Sequence, residues 1–558
     1  MDAATTEEST ASSPDAARRA TLDRAAREGV DVVVVGGGIT GAGIARDAAL
    51  RGLRVLVVDK GDWASGTSSK SAKLVHGGLR YLERFQLGLV FESTRERWRL
   101  QRDNPNLVWP LDFLMPVYAG DKHGLLKLDL GLWLYDLLAL FRGHARHRRV
   151  KPAAAEARAP GLSGAGLEGA LVFRDCGTND ARLVLANVLD AARHGALCAS
   201  HTRLERLEYA GDGADRRVTA AIVRDLLHDR ELVVPTRHVC HAMGHWSDDA
   251  ATPARDGRLM RPTKGVHVVV PRARLPVTCA LAVTSPVDQR ANFIVPAGDT
   301  TYIGTTDTDY DGDPDDVRAD DADIAYLFAT VARYFPDARL TRADITSTWA
   351  GLRPLLRDDA ASAYRTSREH EVFVDPRGLT TIAGGKLTTY RAMAEEATDA
   401  VARDLRRFEI RATRCSTANR PLDPGLPAAP DGAASPLARA LWALHGSAMT
   451  WVEARLRTHP EEAERLDDAP LTVLAQVSLA VLREQAYRLE DVLVRRTLLY
   501  LQGRDQGLAA APRVARHMAR LLDRDDAWVA AEVAAYEALC AASRTGHTAA
   551  GPLAEPAR

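Results

Sequence analysis

Residues 36–41 read Gly36-Gly37-Gly38-Ile39-Thr40-Gly41, a G-x-G-x-x-G string, and Asp59 follows 18 residues beyond Gly41. Each part has a task in holding a dinucleotide. Gly36 permits a tight turn, Gly38 lets the backbone approach a pyrophosphate, and Gly41 lets a helix pack on a strand. A helix starting here offers N–H groups and a positive dipole end to phosphates. Asp59 would accept hydrogen bonds from ribose hydroxyls. A second set of residues is cationic. Lys264, Arg290, Arg353, Arg368 and Lys386 lie at or beside strand-like or turn segments, and Arg80 and Tyr81 follow the double glycine Gly77-Gly78. Such a set suits a small anion, because each charge-assisted hydrogen bond contributes roughly 1.5–3 kcal/mol. Taken singly, each cation also reads as a surface residue; Arg353, in a loop-like Gly351-Leu352-Arg353-Pro354, does so least. The third set is histidine, whose ordinary pKa of about 6.5 suits removal of a hydroxyl proton. His267 is the first candidate and His76 the second; either could instead pack without titrating. Neighbouring arginines would keep such a base neutral.

The elements that must position these groups are legible. Asp31 to Val35 is a β-branched run that stops at glycines, as a buried parallel strand does. Ala42 to Arg51 has helix-forming residues with Gly52 as C-cap, and Arg54 to Asp59 forms a second strand. Strand, turn, helix, strand and acid in this order raise the motif above a bare glycine turn. Leu379 to Ala383, Gly384-Gly385-Lys386 and the stretch from Arg391 to Asp404 form a second strand–glycine–helix unit. It either turns N–H groups toward a cofactor or is an ordinary strand–helix turn.

Of 558 residues, 46% are hydrophobic and 26% charged, which fits a globular protein of several domain-sized units and excludes bulk disorder. A net charge of -1 leaves no global basic excess for nucleic acid. The six cysteines are scattered without a C-x-x-C, so neither a metal site nor a redox dithiol is expected and a reducing, cytoplasmic setting fits. Residues 1–29 lack an apolar h-region and read as a disordered leader with helical character only near its end. No segment reaches the roughly 18 uninterrupted apolar residues of a membrane span.

Residues 66–83 read GTSSKSAKLVHGGLRYLE. With the glycine fingerprint this string closely resembles FAD-dependent glycerol-3-phosphate dehydrogenases of the aerobic type. RPTKGVH at 261–267, IGTTDTDY at 303–310, AGLRPL at 350–355, GGKLTTYR at 384–391 and RLEDVLVRRT at 488–497 continue the resemblance in order. It implies FAD held by Gly36 to Gly41, Asp59, Gly66, Thr67, Ser68, Ser69, His76, Gly77, Gly78, Gly244, Gly385, Lys386, Leu387 and Thr388. It implies glycerol 3-phosphate bound by Arg80, Tyr81, His267, Arg290, Arg353, Arg368 and Lys386, with His267 and Arg353 catalytic. The product would be dihydroxyacetone phosphate and the acceptor a quinone. An oxygen-using glycerol-3-phosphate oxidase, an amine or amino-acid oxidase of the same fold, and a non-catalytic flavin protein are the alternatives. One departure stands out: the family's Asn-Ala-Thr-Gly-Pro-Trp is here His241-Ala242-Met243-Gly244-His245-Trp246.

The fold expected is α/β: a discontinuous Rossmann-like FAD domain (about 30–115, 155–262 and 350–405), a β-rich substrate domain (about 262–350), a linker (406–435), an all-α domain (436–543) and a disordered tail (544–558). Leucine-rich sequence from Leu125 runs into Arg142, His144, Arg146, His147, Arg148, Arg149 and Lys151. That pattern fits either an interfacial helix on anionic lipid or a core helix beside a solvated charge run. The resemblance favours the first: a peripheral enzyme on the inner face of the cell membrane. It leaves homodimerisation open.

Overall fold

The computed structural model describes residues 13–142, 146–248, 259–357 and 370–545. In one sheet Leu379–Gly384, Arg230–His241, Val30–Val35, Val55–Val58 and Leu197–Ala199 run parallel in that order, with His370–Asp375 antiparallel at one edge. Val30–Val35 is buried along its whole length. Val32 and Val34 share a core with the helices Ile39–Leu50, Asp180–Arg193 and Tyr390–Leu405, while Val33 and Val35 pack against the antiparallel layer Thr202–Ala210, Arg217–Asp225 and Arg230–His241. A strand covered on both faces favours apolar residues, which is why Val32 to Val35 is an unbroken valine run, and Asp31 at the strand's start is paired with Arg54 at 2.6 Å.

The leader differs from expectation. Pro14–Glu28 is a helix that buries Asp15, Arg18, Leu22 and Ala25, and Arg18 pairs with buried Asp225 at 2.8 Å. Those positions repeat at helical spacing, a stripe that the polar composition hides. Residues 1–12 lie outside the described residues.

The second sheet has ten strands, with Met260–Pro271 paired antiparallel to Thr300–Gly304 on one side and Ser347–Leu356 on the other. Val266, Val268 and Val270 enter a core with Ile324, Leu327 and Val331 of the helix Asp321–Tyr334. The alternation of a strand therefore turns Gly265, His267 and Val269 to the opposite face. Val108–Tyr118, Arg148–Val150 and Leu167–Thr178 belong to the same sheet. Residues 108–115 and 167–178, read above as FAD-domain sequence, thus belong to this layer, which is not a continuous insert over 262–350. Pro110 and Pro116 disguise the first of these strands, yet each sits in register, opposite Cys176 and Ala170.

The stretch 406–435 is irregular but packed, not a free linker. Leu422 is buried and its N–H donates to Asn104 Oδ1 at 2.9 Å, while Ile410 and Ala412 lean on the helical side of the first sheet. The C-terminal domain is helical from Pro436, with one added hairpin of Arg465–Asp468 and Leu471–Val473. Its last helix, Asp526–Thr545, runs into the start of the expected tail; residues 546–558 lie outside the described residues.

Candidate active site

The turn after Val35 closes against the neighbouring strand. Ala242 N–H donates to the Val35 carbonyl at 2.8 Å, and Gly36 adopts φ +109°, where a Cβ would stand 2.5 Å from the Ala242 oxygen. A Cβ on Gly41 would stand 1.8 Å from the Gly36 oxygen, so helix and turn meet without room for a side chain. Gly37 does not line the cavity. Its N–H donates to Asp59 Oδ2 at 2.6 Å and the Gly61 N–H donates to Oδ1 at 2.8 Å, which aims the carboxylate. Burial pushes the Asp59 carboxyl up to about 6, against these two donors, which favour its charged form. Gly38, Ile39 and Thr40 line the cavity at the helix start, together with Gly66, Thr67 and Ser68 from the loop that follows Asp59. Ser68 Oγ accepts from the Ile39 N–H at 2.9 Å.

The cavity, about 1750 Å³, extends from this turn to the second sheet. Strand register puts the chemistry on its wall. Across the pair Met260–Pro271 and Ser347–Leu356, Thr263 faces Arg353, Gly265 faces Gly351 and His267 faces Trp349. The paired glycines make room: a Cβ on Gly265 would lie 2.7 Å from Arg353 Nη2, and one on Gly351 2.8 Å from the Lys70 carbonyl. His267 is 3% exposed and stacked on Trp349 at 4.6 Å and 10°, and neither ring nitrogen has a hydrogen-bond partner. Burial first, then the Arg353 and Lys73 charges, hold its pKa well below the usual histidine value. Arg353 is presented by acceptors on the neighbouring loop: Nη1 donates to Asp307 Oδ1 at 2.9 Å, and Nη2 to Thr305 Oγ1 at 3.1 Å and the Thr306 carbonyl at 2.9 Å.

Most of the remaining expected site residues converge on this cavity. Arg290 lines it and donates to the Asp307 carbonyl at 2.6 Å. Lys386 Nζ lies 3.8 Å above the ring of Tyr81, and both residues line the wall. Gly385 (φ +87°), Leu387 and Thr388 line it as well, and Thr388 Oγ1 accepts from the His76 N–H at 3.1 Å. That bond ties the second glycine turn to the loop carrying His76 and Gly78. Gly244 is also on the wall. Three expectations shift. Gly77 stands behind the wall, its N–H donating to Tyr135 Oη at 2.9 Å. Ser69 is likewise off the wall, and its carbonyl accepts from Lys73 Nζ at 2.9 Å. Lys264 is held by Asp320 and Asp323 at 2.6 Å each and does not line the cavity, because its strand position faces away from His267. The Arg80 side chain and all of Arg368 lie outside the described residues.

Trp349, Thr305, Asp307 and Lys70 are site residues that the sequence reading did not assign. Thr305 and Asp307 lie within IGTTDTDY and Lys70 within GTSSKSAKLVHGGLRYLE, whereas the place of Trp349 opposite His267 is set by strand pairing that no local spacing reveals. The departing strand end is part of the site too: His241, Met243 and His245 line the cavity, and burial lowers both histidines to about 4.

The cradles at Gly36 and Gly41, the aimed Asp59 and the unpartnered nitrogens of His267 fit FAD, and the fold and site define an FAD-dependent oxidoreductase. Residues 31–391 match the family model described as FAD dependent oxidoreductase, and 382–529 match the C-terminal domain of alpha-glycerophosphate oxidase. Aerobic glycerol-3-phosphate dehydrogenases of Staphylococcus aureus and Staphylococcus epidermidis are 34% identical over 486 residues, 84% of this chain and 86% of theirs. The glycerol-3-phosphate dehydrogenase of Bacillus halodurans, solved with FAD, superposes with a TM-score of 0.77 at 28% identity, covering 97% of this chain and all of that one. L-alpha-glycerophosphate oxidase from Mycoplasma pneumoniae, at 15% identity and TM-score 0.51, shares the fold over 69% of this chain and 96% of that one. The chain belongs to the family of FAD-dependent, aerobic-type glycerol-3-phosphate dehydrogenases, and its cofactor is FAD.

Proposed function

We propose that the protein oxidises sn-glycerol 3-phosphate to dihydroxyacetone phosphate and passes the electrons to a quinone at a membrane surface. The observation that carries the substrate is the register of two strands, which puts a neutral, unpartnered imidazole (His267) and a guanidinium (Arg353) on one wall. Arg353, Arg290 and Lys386 bind and orient the phosphate. One ring nitrogen of His267 takes the C2 hydroxyl proton as the C2 hydrogen leaves with its electron pair. Bound FAD supplies the hydride acceptor, flavin N5. Burial of His267 against Trp349 keeps it uncharged and in one orientation, so little reorganisation accompanies proton transfer. The anaerobic holoenzyme should bleach with glycerol 3-phosphate and stay yellow with glycerol. Bleaching by glycine or sarcosine instead would assign an amine oxidase, and a flavin that no substrate reduces would assign a non-catalytic protein.

The membrane reading rests on the helix Leu125–Leu138. Leu132 and Tyr135 are buried, whereas Leu126, Leu130, Trp133, Leu134 and Leu137 are exposed, Leu126 by 65%. Their spacing makes one apolar stripe, extended by Phe141 and by Phe85, which is 86% exposed. The basic run is only partly available. His147 is buried between Asp129 and Asp136, and Arg149 pairs with Asp129 at 2.7 Å. Arg142, Arg146, Arg148 and Lys151 are exposed, and His144 lies outside the described residues. Among the described residues no helix is long and apolar enough to cross a membrane, so the proposal is a monotopic contact with the inner face of the cell membrane. Anionic liposomes should co-float the protein at low salt. Leu130→Ser with Trp133→Ser should abolish flotation, and Arg142, Arg146 and Arg148 neutralised together should weaken it, each cation contributing about 1 kcal/mol. A double variant that floats unchanged would remove this helix from the contact.

A further inference from the structure

The C-terminal domain reaches the ribose end of the dinucleotide site through buried charge. From its helical turn Asp491–Arg496, Arg495 Nε donates to Asp62 Oδ2 at 2.6 Å, and Arg496 holds both Asp62 oxygens at 2.7 Å. Arg495 also bonds Asp491 at 2.8 Å and Glu490 at 2.6 Å, and Asp491 Oδ2 lies 3.1 Å from His201 Nε2. Asp62, Asp491, Arg495 and Arg496 are all buried. Asp62, His201 and Asp491 bring ligand atoms within 4.8 Å of one another, as a metal site does. The two guanidiniums already neutralise those carboxylates, so the cluster asks for no cation.

Both ends of this network flank Asp59. The His201 N–H donates to the Gly61 carbonyl at 2.8 Å and the Thr202 N–H to the Asp59 carbonyl at 2.6 Å. The Gly61 N–H in turn donates to Asp59 Oδ1. Thr202 and Arg203 line the cavity that Asp59 lines. Between Asp62 and Gly66, Trp63 adds a second link, its Nε1–H donating to Gln485 Oε1 at 3.0 Å. The same indole backs Gly37, where a Cβ would lie 2.4 Å from the ring. Buried ion pairs are a poor source of stability, since well-packed apolar replacements are often neutral or better. What this network supplies is a fixed turn between Asp59 and Gly66.

We propose that Arg495 and Arg496 are positioning residues for FAD: through Asp62 they fix the turn that aims Asp59 at the adenosine ribose. The C-terminal domain thereby completes the adenosine half of the cofactor site. This assignment depends on the FAD fold and not on the substrate, so it stands or falls apart from the glycerol 3-phosphate reading.

The test uses the full chain with Asp62→Asn, Arg496→Ala or Arg496→Lys, stripped of flavin and titrated with FAD. In Asp62→Asn and Arg496→Ala the FAD dissociation constant should rise roughly ten- to a hundredfold, the loss of one or two charge-assisted hydrogen bonds. Arg496→Lys, which keeps the charge but not the fork, should lose less. The visible bands of the flavin at saturating FAD should not move, because the isoalloxazine end is untouched. A merely structural role would not separate these two readouts. If Arg496→Ala fails to fold, Asp62→Asn probes the same contact from the nucleotide-binding side. Unchanged FAD affinity in Asp62→Asn, or shifted flavin bands, overturns the proposal.

Discussion

Replacing His267 with Gln should slow flavin reduction by glycerol 3-phosphate about 10²–10⁴-fold in single turnover while FAD stays bound, the usual contribution of a positioned base. Gln keeps a polar group against Trp349 but cannot take a proton at neutral pH. The pH dependence carries a second signature. Burial and two neighbouring cations disfavour the charged imidazole, so its folded pKa lies below the ordinary 6.5. The base is therefore already neutral at 6.5 and above. The rate of reduction at saturating substrate should stay level as pH falls through 6.5 and drop only well below it. A histidine with an ordinary pKa would instead lose half its activity near 6.5. A Gln variant that reduces its flavin within a few-fold of the parent would move the role to His76, which shares the cavity.

The second large effect is expected at Arg353. Arg353→Ala should lower kcat/KM for glycerol 3-phosphate about 30- to 1000-fold, roughly 2–4 kcal/mol of transition-state binding. The guanidinium is pre-aimed by Asp307, Thr305 and the Thr306 carbonyl, so the substrate meets an ordered donor. Arg353→Lys should recover only part of the loss, because an ammonium cannot keep the fork that spans these acceptors and a phosphate. Unmodified enzyme should turn over glycerol very poorly. Equal turnover of glycerol would show that the cations do not read phosphate.

Sequence and tertiary structure divide the explanation unevenly. The dinucleotide turn was legible because its demands are local. Gly36 needs a positive φ, Gly41 needs no side chain, and an acid must end the next strand; all fall within one strand–helix–strand unit. Asp59 lines the cavity for the same reason. His267 and Arg353 were legible as residue types in family-like strings. That they share one wall follows from the pairing of strands about 90 residues apart in sequence.

The sequence alone therefore determined the cofactor class, the fold class and the list of candidate side chains, because each rests on short-range geometry or on ordered motifs. Only the tertiary structure decided which candidates face the cavity. Lys264 and His267 differ by an odd number of positions on one strand, so the alternation sends one to Asp320 and Asp323 and the other to the site. It also decided that Gly37 and Gly77 brace the site from behind, that the polar leader contributes a packed helix, and that residues 108–118 and 167–178 join the second sheet. Each of these depends on burial against a distant partner, a long-range energy that no residue's neighbours in sequence encode.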